Sequence, residues 1–355
     1  MRAERFPIRL EDVAPALTRT VLALGGLDRQ LHRHPLRDAI LFRARLEAAR
    51  QCAAVDGFLV DPWQLAASLE GLRPRIRGHD VFERGSEVDA LRHAFEQYQW
   101  LNRPTGAQAA LIAEVQAGLP LHVKTMGPVL GGGLAFRDWI EAGNARAPFR
   151  GALVRLWQAQ DVCRGLYPLT GAAAFQAGTS WAARSWMPTW LGALEQEAIG
   201  MSQLTTTLER SWRQARDQAG DQRRNSRASM AIDVIAAHPV ISATSLAQRL
   251  SISVQAVCVL LDRFLERDLI VDVTHRATRR LFALKDHAPL REGVQKPRKP
   301  VPGRKPGRPR VSDIVVQDDE DVMETVTPRL LLRWQPDFSE LEAAMAAIDA
   351  LCKRG

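Results

Sequence analysis

The stretch that decides the fold is SATSLAQRLSISVQAVCVLLDRFLERDLIVDVTHRATRRLFAL, residues 242–284. A short helix that Ser242 or Thr244 can cap is expected to end at Leu250, and Ser253 is a good N-cap for a longer helix from Val254 to about Arg267. The three residues Ser251-Ile252-Ser253 separate the two helices. Two helices joined by so short a turn are typical of a helix-turn-helix. Its shared core is expected to contain Leu246, Leu250, Ile252, Val257, Leu260, Leu261 and Phe264.

The residues on either side complete the pattern. An apolar helix is expected over Ser229–Ala237 and ends at His238-Pro239. After the third helix, Asp268–Val273 and Leu281–Leu284 have an extended pattern, and the polar, basic tip Thr274–Arg280 joins them. Two short strands with a basic tip form a wing. Residues 223–284 are therefore predicted to be a winged helix-turn-helix.

Such a fold places its third helix across the major groove of double-stranded DNA. The polar groups of that helix that can reach bases or phosphates are Ser253, Gln255 and Arg263. The wing arginines suit phosphate or minor-groove contacts. They are Arg276, Arg279 and Arg280.

An alternative is that the winged helix contacts protein. The exposed start of the third helix contains Val254, Ala256 and Val259, whereas a strong base reader usually offers Arg, Asn or Gln pairs. Sequence specificity is therefore expected to be modest for one copy. Pairing of two copies in a homodimer is one way to supply more specificity.

A basic tail follows the winged helix. Residues 285–310 contain nine Lys or Arg and only two acids, and they are rich in Pro. Residues 285–327 are predicted to be a disordered basic and acidic linker, because they hold too little apolar surface to fold alone. Residues 328–355 are predicted to contain an amphipathic helix, in which Ser339 and Glu342 form a capping box.

Within the tail, the sequence Lys305–Arg310 resembles an AT-hook, whose core is Gly-Arg-Pro between basic residues. Arginines in this setting enter the narrow A·T minor groove, where the potential is most negative. The candidate contacts are Lys305, Arg308 and Arg310. The alternative is a Pro-rich basic linker that binds nucleic acid through charge alone.

The whole-chain properties agree with an anionic partner. The chain has 355 residues, a net charge of +8 and a pI of about 9.8. Four scattered cysteines form no CxxC pair, which argues against a zinc site or a disulfide framework. No apolar run has the length of a membrane span, and the first residues do not resemble a signal peptide. A cytoplasmic location without membrane association is therefore expected.

Residues 1–220 are predicted to form a helical domain. Asp61-Pro62 marks a helix start, and a long polar helix is expected over Glu195–Ala219. Gly127–Gly133 is predicted to be a flexible turn, because it lacks the spacing of a phosphate loop. Three tryptophans at helical spacing are expected in the core: Trp181, Trp186 and Trp190.

The chain up to Leu284 resembles an uncharacterised proteobacterial family, often plasmid-borne, with an N-terminal domain of unknown function and a C-terminal helix-turn-helix domain. That layout is similar to the Fic family of AMP-transferring proteins. Cys52–Gly57 is similar to the Fic inhibitory-helix segment, which has Ser and Glu-Gly at matching spacing. Leu166–Leu169 stands where Fic proteins have their catalytic His-Pro-Phe motif.

The differences from Fic proteins argue against an enzyme. Tyr167 replaces the catalytic His, and Thr170–Phe175 has no Gly-Asn-Gly-Arg to hold a nucleotide's phosphates. Without this base and this arginine, AMP transfer lacks a mechanism. The expectation is a bacterial transcriptional regulator with no catalytic residues, cofactor or metal. Its helical domain would serve dimerisation or the sensing of an effector that the sequence does not identify.

Overall fold

The computed structural model describes residues 8–77, 80–219, 227–276 and 279–296. These residues are mainly α-helical, as the sequence predicts, with one small sheet, and they all belong to one compact unit. The AT-hook-like motif and the predicted helix of residues 328–355 lie outside the described residues.

Eight α-helices precede residue 220 in the part of the chain that the structure describes. They are α1 (Leu10–Leu31), α2 (Arg37–Val55), α3 (Pro62–Leu69), α4 (Val81–Leu101), α5 (Gly106–Gly118), α6 (Pro120–Glu141), α7 (Arg146–Ala159) and α8 (Ala183–Ala219).

Local capping explains where several of these helices begin. The Asp61 carboxylate accepts the Trp63 backbone N–H at 2.9 Å, with Pro62 in the first position, so the predicted start of α3 is confirmed. Thr105 and Gln108 form a reciprocal capping box at the start of α5. Each cap satisfies backbone donors that a helix cannot satisfy internally.

Helix α8 begins twelve residues earlier than predicted and contains Pro188. The proline removes one backbone hydrogen bond close to the start of the helix. Trp186 and Trp190, on either side of it, are fully buried and hold this part of the helix in the core. Burial of two large aromatic side chains outweighs the loss of one hydrogen bond.

The core lies between α8 and the helices that pack on it, with α1 in contact along its length. Trp157 and Trp186 flank Trp190, at ring-centroid distances of 6.2 and 5.9 Å respectively. The indole N–H groups of two of them donate to backbone carbonyls, that of Trp157 to Leu169 at 2.9 Å and that of Trp186 to Ala174 at 3.2 Å. The prediction of a core role is confirmed for Trp186 and Trp190, whereas Trp181 is partly exposed.

The prediction of a flexible turn over Gly127–Gly133 is wrong for most of the segment. Only Gly127, with φ of 75°, leaves the helical conformation, and α6 continues through the glycines that follow. A Cβ on Gly131 would lie 2.4 Å from the carbonyl oxygen of His122, and one on Gly133 would lie 2.7 Å from the ring of Trp190. These glycines therefore permit close packing inside the core.

The second part of the unit contains three helices and the sheet. Its elements, in order, are α9 (Ala228–Ala237), β1 (Ile241–Ser242), α10 (Ala243–Leu250), α11 (Val254–Glu266), β2 (Ile270–Asp272) and β3 (Leu281–Leu284). The sheet is antiparallel, and its order is β1-β3-β2. The end predicted for α10 and the start predicted for α11 agree with those observed, and of the two candidate caps for α10 it is Ser242 that begins the helix.

Residues 285–296, which follow the sheet, are folded, which corrects the prediction of disorder for that part of residues 285–327. A short 3-10 helix, Lys285–His287, leads into α12 (Ala288–Gly293), and α12 packs against α3. Gly293 lies so close to Trp63 that a Cβ would be 2.9 Å from its backbone. Composition indicated that this segment could not fold alone. It folds because the helices before residue 220, called the helical part below, supply the apolar surface of α3 on which α12 packs.

A polar cluster strengthens this junction. The guanidinium of Arg43 forms an ion pair with Asp286, and its carbon lies 5.6 Å from the centre of the Trp63 ring. His287 packs edge-on against the same ring, with centroids 5.9 Å apart, and burial lowers the pKa of its imidazole. The helical part and the sheet part thus share one continuous packed unit.

Candidate nucleic-acid interface

The turn between α10 and α11 is fixed by serines. Ser242 caps α10 by accepting the Ser245 backbone N–H at 3.1 Å, and Ser253 caps α11 by accepting that of Ala256 at 3.2 Å. Ser251 adopts the left-handed conformation, with φ of 54°, which reverses the chain between the helices. The inner sides of the two helices are buried together through Leu246, Leu250, Val257, Leu261 and Phe264.

The opposite side of α11 faces outward. Gln255 and Arg263, two of the predicted contacts, are exposed on this side, and so is Val259, with 57% of its surface accessible. Ser253 is also exposed at the start of the helix, although its hydroxyl oxygen serves as the cap. The structure therefore places all three predicted polar contacts of α11 at the surface.

Two acidic side chains lie on the outward side of the C-terminal half of α11, namely Asp262 and Glu266. Asp262 lies 3.5 Å from the guanidinium of Arg280, which belongs to the hairpin formed by β2 and β3. This contact joins the base of the hairpin to the outward side of α11. The hairpin and the helix therefore present one continuous surface.

The three predicted wing arginines occupy different positions. Arg276 and Arg279 are exposed near the hairpin tip, of which residues 277 and 278 are outside the described residues. Arg280 pairs with Asp272 at 2.8 Å and lies over the ring of Phe282 at 4.9 Å. Through its contacts with Asp272 and Asp262, the Arg280 guanidinium holds the hairpin against α11. Its role is therefore to position the surface on which Arg276 and Arg279 lie.

Asp272 is the centre of the hairpin's internal hydrogen bonding, and sequence reasoning missed it. Its Oδ1 accepts from the backbone N–H of Thr274 at 2.9 Å and from the hydroxyl of the same residue at 2.7 Å. Arg291 of α12 donates to the Asp272 carbonyl at 2.5 Å, and the Arg291 carbonyl lies 2.8 Å from His275 Nε2. The pattern Asp-x-Thr, a signal for an Asx turn, was the available clue.

The predicted tail contacts Lys305, Arg308 and Arg310 lie outside the described residues. They remain sequence predictions.

The segment compared with the Fic catalytic motif is buried. Tyr167 is 1% exposed, and its hydroxyl donates to Asp28 at 3.0 Å. Burial, together with the nearby Asp28 carboxylate, raises the pKa of Tyr167. A phenol with a raised pKa keeps its proton at neutral pH and is a poor general base.

The residues that follow form a turn that leads into a short 3-10 helix, Ala172–Phe175. The Glu197 carboxylate accepts the backbone N–H groups of Thr170, Gly171 and Ala172, at 2.7, 2.9 and 3.0 Å. Gly171 is left-handed, with φ of 63°, and a Cβ there would lie 2.5 Å from the Trp190 ring. Here a protein carboxylate occupies the backbone donors, and these donors are the kind of group that would otherwise hold an anion.

The segment compared with the Fic inhibitory helix forms an ion cluster within the helical part. Asp56 accepts from Arg150 at 2.8 Å and from Arg146 at 2.9 Å, and it lies 3.2 Å from His93. Burial alone would raise the pKa of Asp56, but hydrogen bonds from His93 and Arg150 hold it well below its ordinary value. Arg150 is completely buried, so the cluster ties α2, α4 and α7 together.

No protein-family model matches this chain, and no curated protein matches it either. Among the described residues, no three His, Cys, Asp or Glu side chains are grouped so as to hold a metal ion. In the same part of the chain, no single helix is long and apolar enough to span a membrane. The pair α10 and α11 reaches that length and composition only together, and it is bent by 113°.

Proposed function

We propose that this chain is a double-stranded DNA-binding protein that acts as a transcriptional regulator, with residues 227–284 serving as a winged helix-turn-helix. The observation that carries the proposal is the Arg280–Asp262 contact, which sets the hairpin beside the outward side of α11. A winged helix needs this adjacency, because the third helix enters the major groove while the wing follows the neighbouring backbone.

In this mechanism the first turns of α11 enter the groove. Gln255 faces the base edges, while Ser253 and Arg263 serve the phosphates at the two ends of the contact. Arg276 and Arg279 add backbone contacts from the wing. Lys305, Arg308 and Arg310 of the tail would add further salt-sensitive affinity.

The helical part is proposed to control the geometry of the DNA-binding part through α12. Arg291 of α12 holds the hairpin at Asp272, and the same helix packs on α3. A change in the helical part, through pairing of two copies or through an effector, would therefore reach the wing directly. Catalysis is not part of the proposal, because Tyr167 is a buried, protonated phenol where a base would be needed.

The test is a titration of sheared genomic DNA with the protein at several salt concentrations, in which binding is measured by fluorescence anisotropy. The double variant R276A/R279A is expected to bind more weakly and to lower the slope of log K against log salt by about two, since each phosphate contact contributes about 0.9. The control R29A/R103A removes two exposed arginines on α1 and after α4, and its slope is expected to match the parent's.

A protein-binding role for the same surface is the second candidate, and the exposed Val254 and Val259 together with Glu266 favour it. The DNA titration distinguishes the protein-binding role from the DNA-binding role. If the parent protein forms no complex with DNA even at low salt, the DNA-binding proposal is wrong. The outward side of α11 is then better explained as a protein interface.

A further inference from the structure

The outward side of α11 has an unusual chemical composition for a surface that enters a DNA groove. At about 100° per residue, Gln255, Ala256, Val259 and Arg263 lie along one ridge of the helix, and all four are exposed. Two of these four side chains are small and apolar. The inner side of the helix has its own complete core, so packing within the described residues does not explain the exposed valine.

The usable part of this ridge is its N-terminal half. Asp262 and Glu266 project from the C-terminal half, and their negative charge disfavours its approach to DNA apart from the single phosphate contact of Arg263. Asp262 is compensated by Arg280, but no ion pair is recorded for Glu266 among the described residues. The base contacts of the ridge are thereby restricted to the first two turns, which present Gln255, Ala256 and Val259.

The chemistry of these three side chains matches one kind of base pair. A Gln side chain can pair with N6 and N7 of adenine, and small apolar side chains pack against the C5-methyl group of thymine. Gln255 and Val259 are four residues apart, about 6 Å along the helix axis, which is close to two base-pair steps. The ridge therefore has the reach to contact neighbouring A·T pairs.

We propose that α11 recognises a run of A·T pairs in the major groove, with Gln255 pairing with adenine and with Ala256 and Val259 packed on thymine methyl groups. This inference rests on the proposed DNA-binding function and narrows it to a class of target. Arg263, one turn further along the ridge, contacts the phosphate at the end of this run.

Replacement of thymine by uracil tests the proposal, because it removes the methyl group and leaves the hydrogen-bonding edges of both grooves unchanged. An A·T preference of the tail in the minor groove therefore does not contribute to the difference. The full chain is first used to select duplexes from a pool with a random 20-base-pair centre. The most enriched duplex is then copied once with thymine and once with uracil.

The selected centres are expected to be rich in A·T, and the thymine copy is expected to bind more tightly by about fourfold for each methyl group contacted, the equivalent of burying one methyl-sized group. In V259A the ratio of the affinity for the thymine copy to that for the uracil copy is expected to fall toward one. The control V21A shortens a valine on α1 that is similarly exposed, at 49%, and is expected to keep the parent ratio.

The outcomes are distinct. Equal binding of the two copies, or selection of G·C-rich centres, overturns the recognition of thymine and leaves DNA binding intact. An unchanged ratio in V259A overturns the role of the ridge. Recovery of no duplex at low salt contradicts the proposed function itself, and the ridge is then assigned to a protein partner.

Discussion

Replacement of Asp56 by Asn tests whether the ion cluster of the helical part is structural. The substitution keeps the shape of the side chain and removes its charge, which leaves Arg150 buried without the carboxylate of its ion pair. The Asp56 side chain is 17% exposed and Arg150 is 0% exposed, so solvent can compensate little of this loss. Breaking a buried pair on one side costs about 3–5 kcal/mol, and the partial exposure of Asp56 places the expected loss near 3 kcal/mol.

The assay is urea unfolding followed by circular dichroism, with thermal melting in parallel. A loss near 3 kcal/mol corresponds to a fall of roughly 6 °C in the melting temperature for a unit of this size. The chain offers a matched control in D138N. Asp138 also contacts one His and one Arg, at 3.1 and 3.4 Å, but it is 50% exposed, so its change is expected to cost less than about 1 kcal/mol.

The pH dependence gives the same prediction a second readout. Because the pKa of Asp56 is lower in the folded protein, its stabilising effect is complete above the ordinary value near 4 and is lost as pH falls toward the folded value. The difference between the parent and D56N should therefore be largest at neutral pH and shrink below about pH 4. Equal stability losses in D56N and D138N at pH 7 would refute the reasoning.

Two further predictions concern stability. Burial raises the pKa of Glu70 from 4.5 to about 7, so the folded protein loses stability as pH rises through this interval, and E70Q is expected to be more stable than the parent by about 3 kcal/mol at pH 8 but not at pH 4.5. A pH-independent difference in urea midpoints would contradict it. G133A is expected to lose about 1–3 kcal/mol, because its Cβ would meet Trp190 at 2.7 Å, whereas G200A in α8 has open space and is expected to gain up to about 1 kcal/mol. Similar thermal melts for the two alanine variants would count against the packing argument.

The elements that sequence reasoning located well are those with local signals. The end of α10 and both ends of α11 were predicted within a residue, because Ser253 marks one start and a short turn separates the two helices. The start of α3 was found from Asp61-Pro62 for the same reason. In each case the interacting atoms are within a few residues of each other, so the pattern is visible in a short window.

Two of the features that were missed depend on partners far apart in the chain. Asp56 and Arg150 are 94 residues apart, and Arg43 and Asp286 are 243 apart. No pattern within a short stretch of sequence indicates that two such distant residues form an ion pair. Over residues 285–296 the prediction of disorder failed for a similar reason, because composition measures what a segment can bury by itself and does not include the surface that α3 provides.

At the candidate interface, too, some residues were placed correctly from the sequence and another was not. Gln255, Arg263 and Arg276 were predicted to be available, and the structure exposes them. Arg280 was predicted with them, but it pairs with Asp272 instead. A basic residue at a hairpin base looks the same in sequence whether it faces a phosphate or a protein carboxylate, and only the fold shows which it faces.

The sequence by itself determined the helical character, the caps, the short turn between α10 and α11 and the excess of positive charge, since backbone hydrogen bonding, local periodicity and composition set these. The tertiary structure alone decided which charges are neutralised inside the protein, which glycines permit close packing, and that α12 joins the hairpin to the helical part. Burial and ion pairing arise between distant residues, so they exist only once the chain has folded.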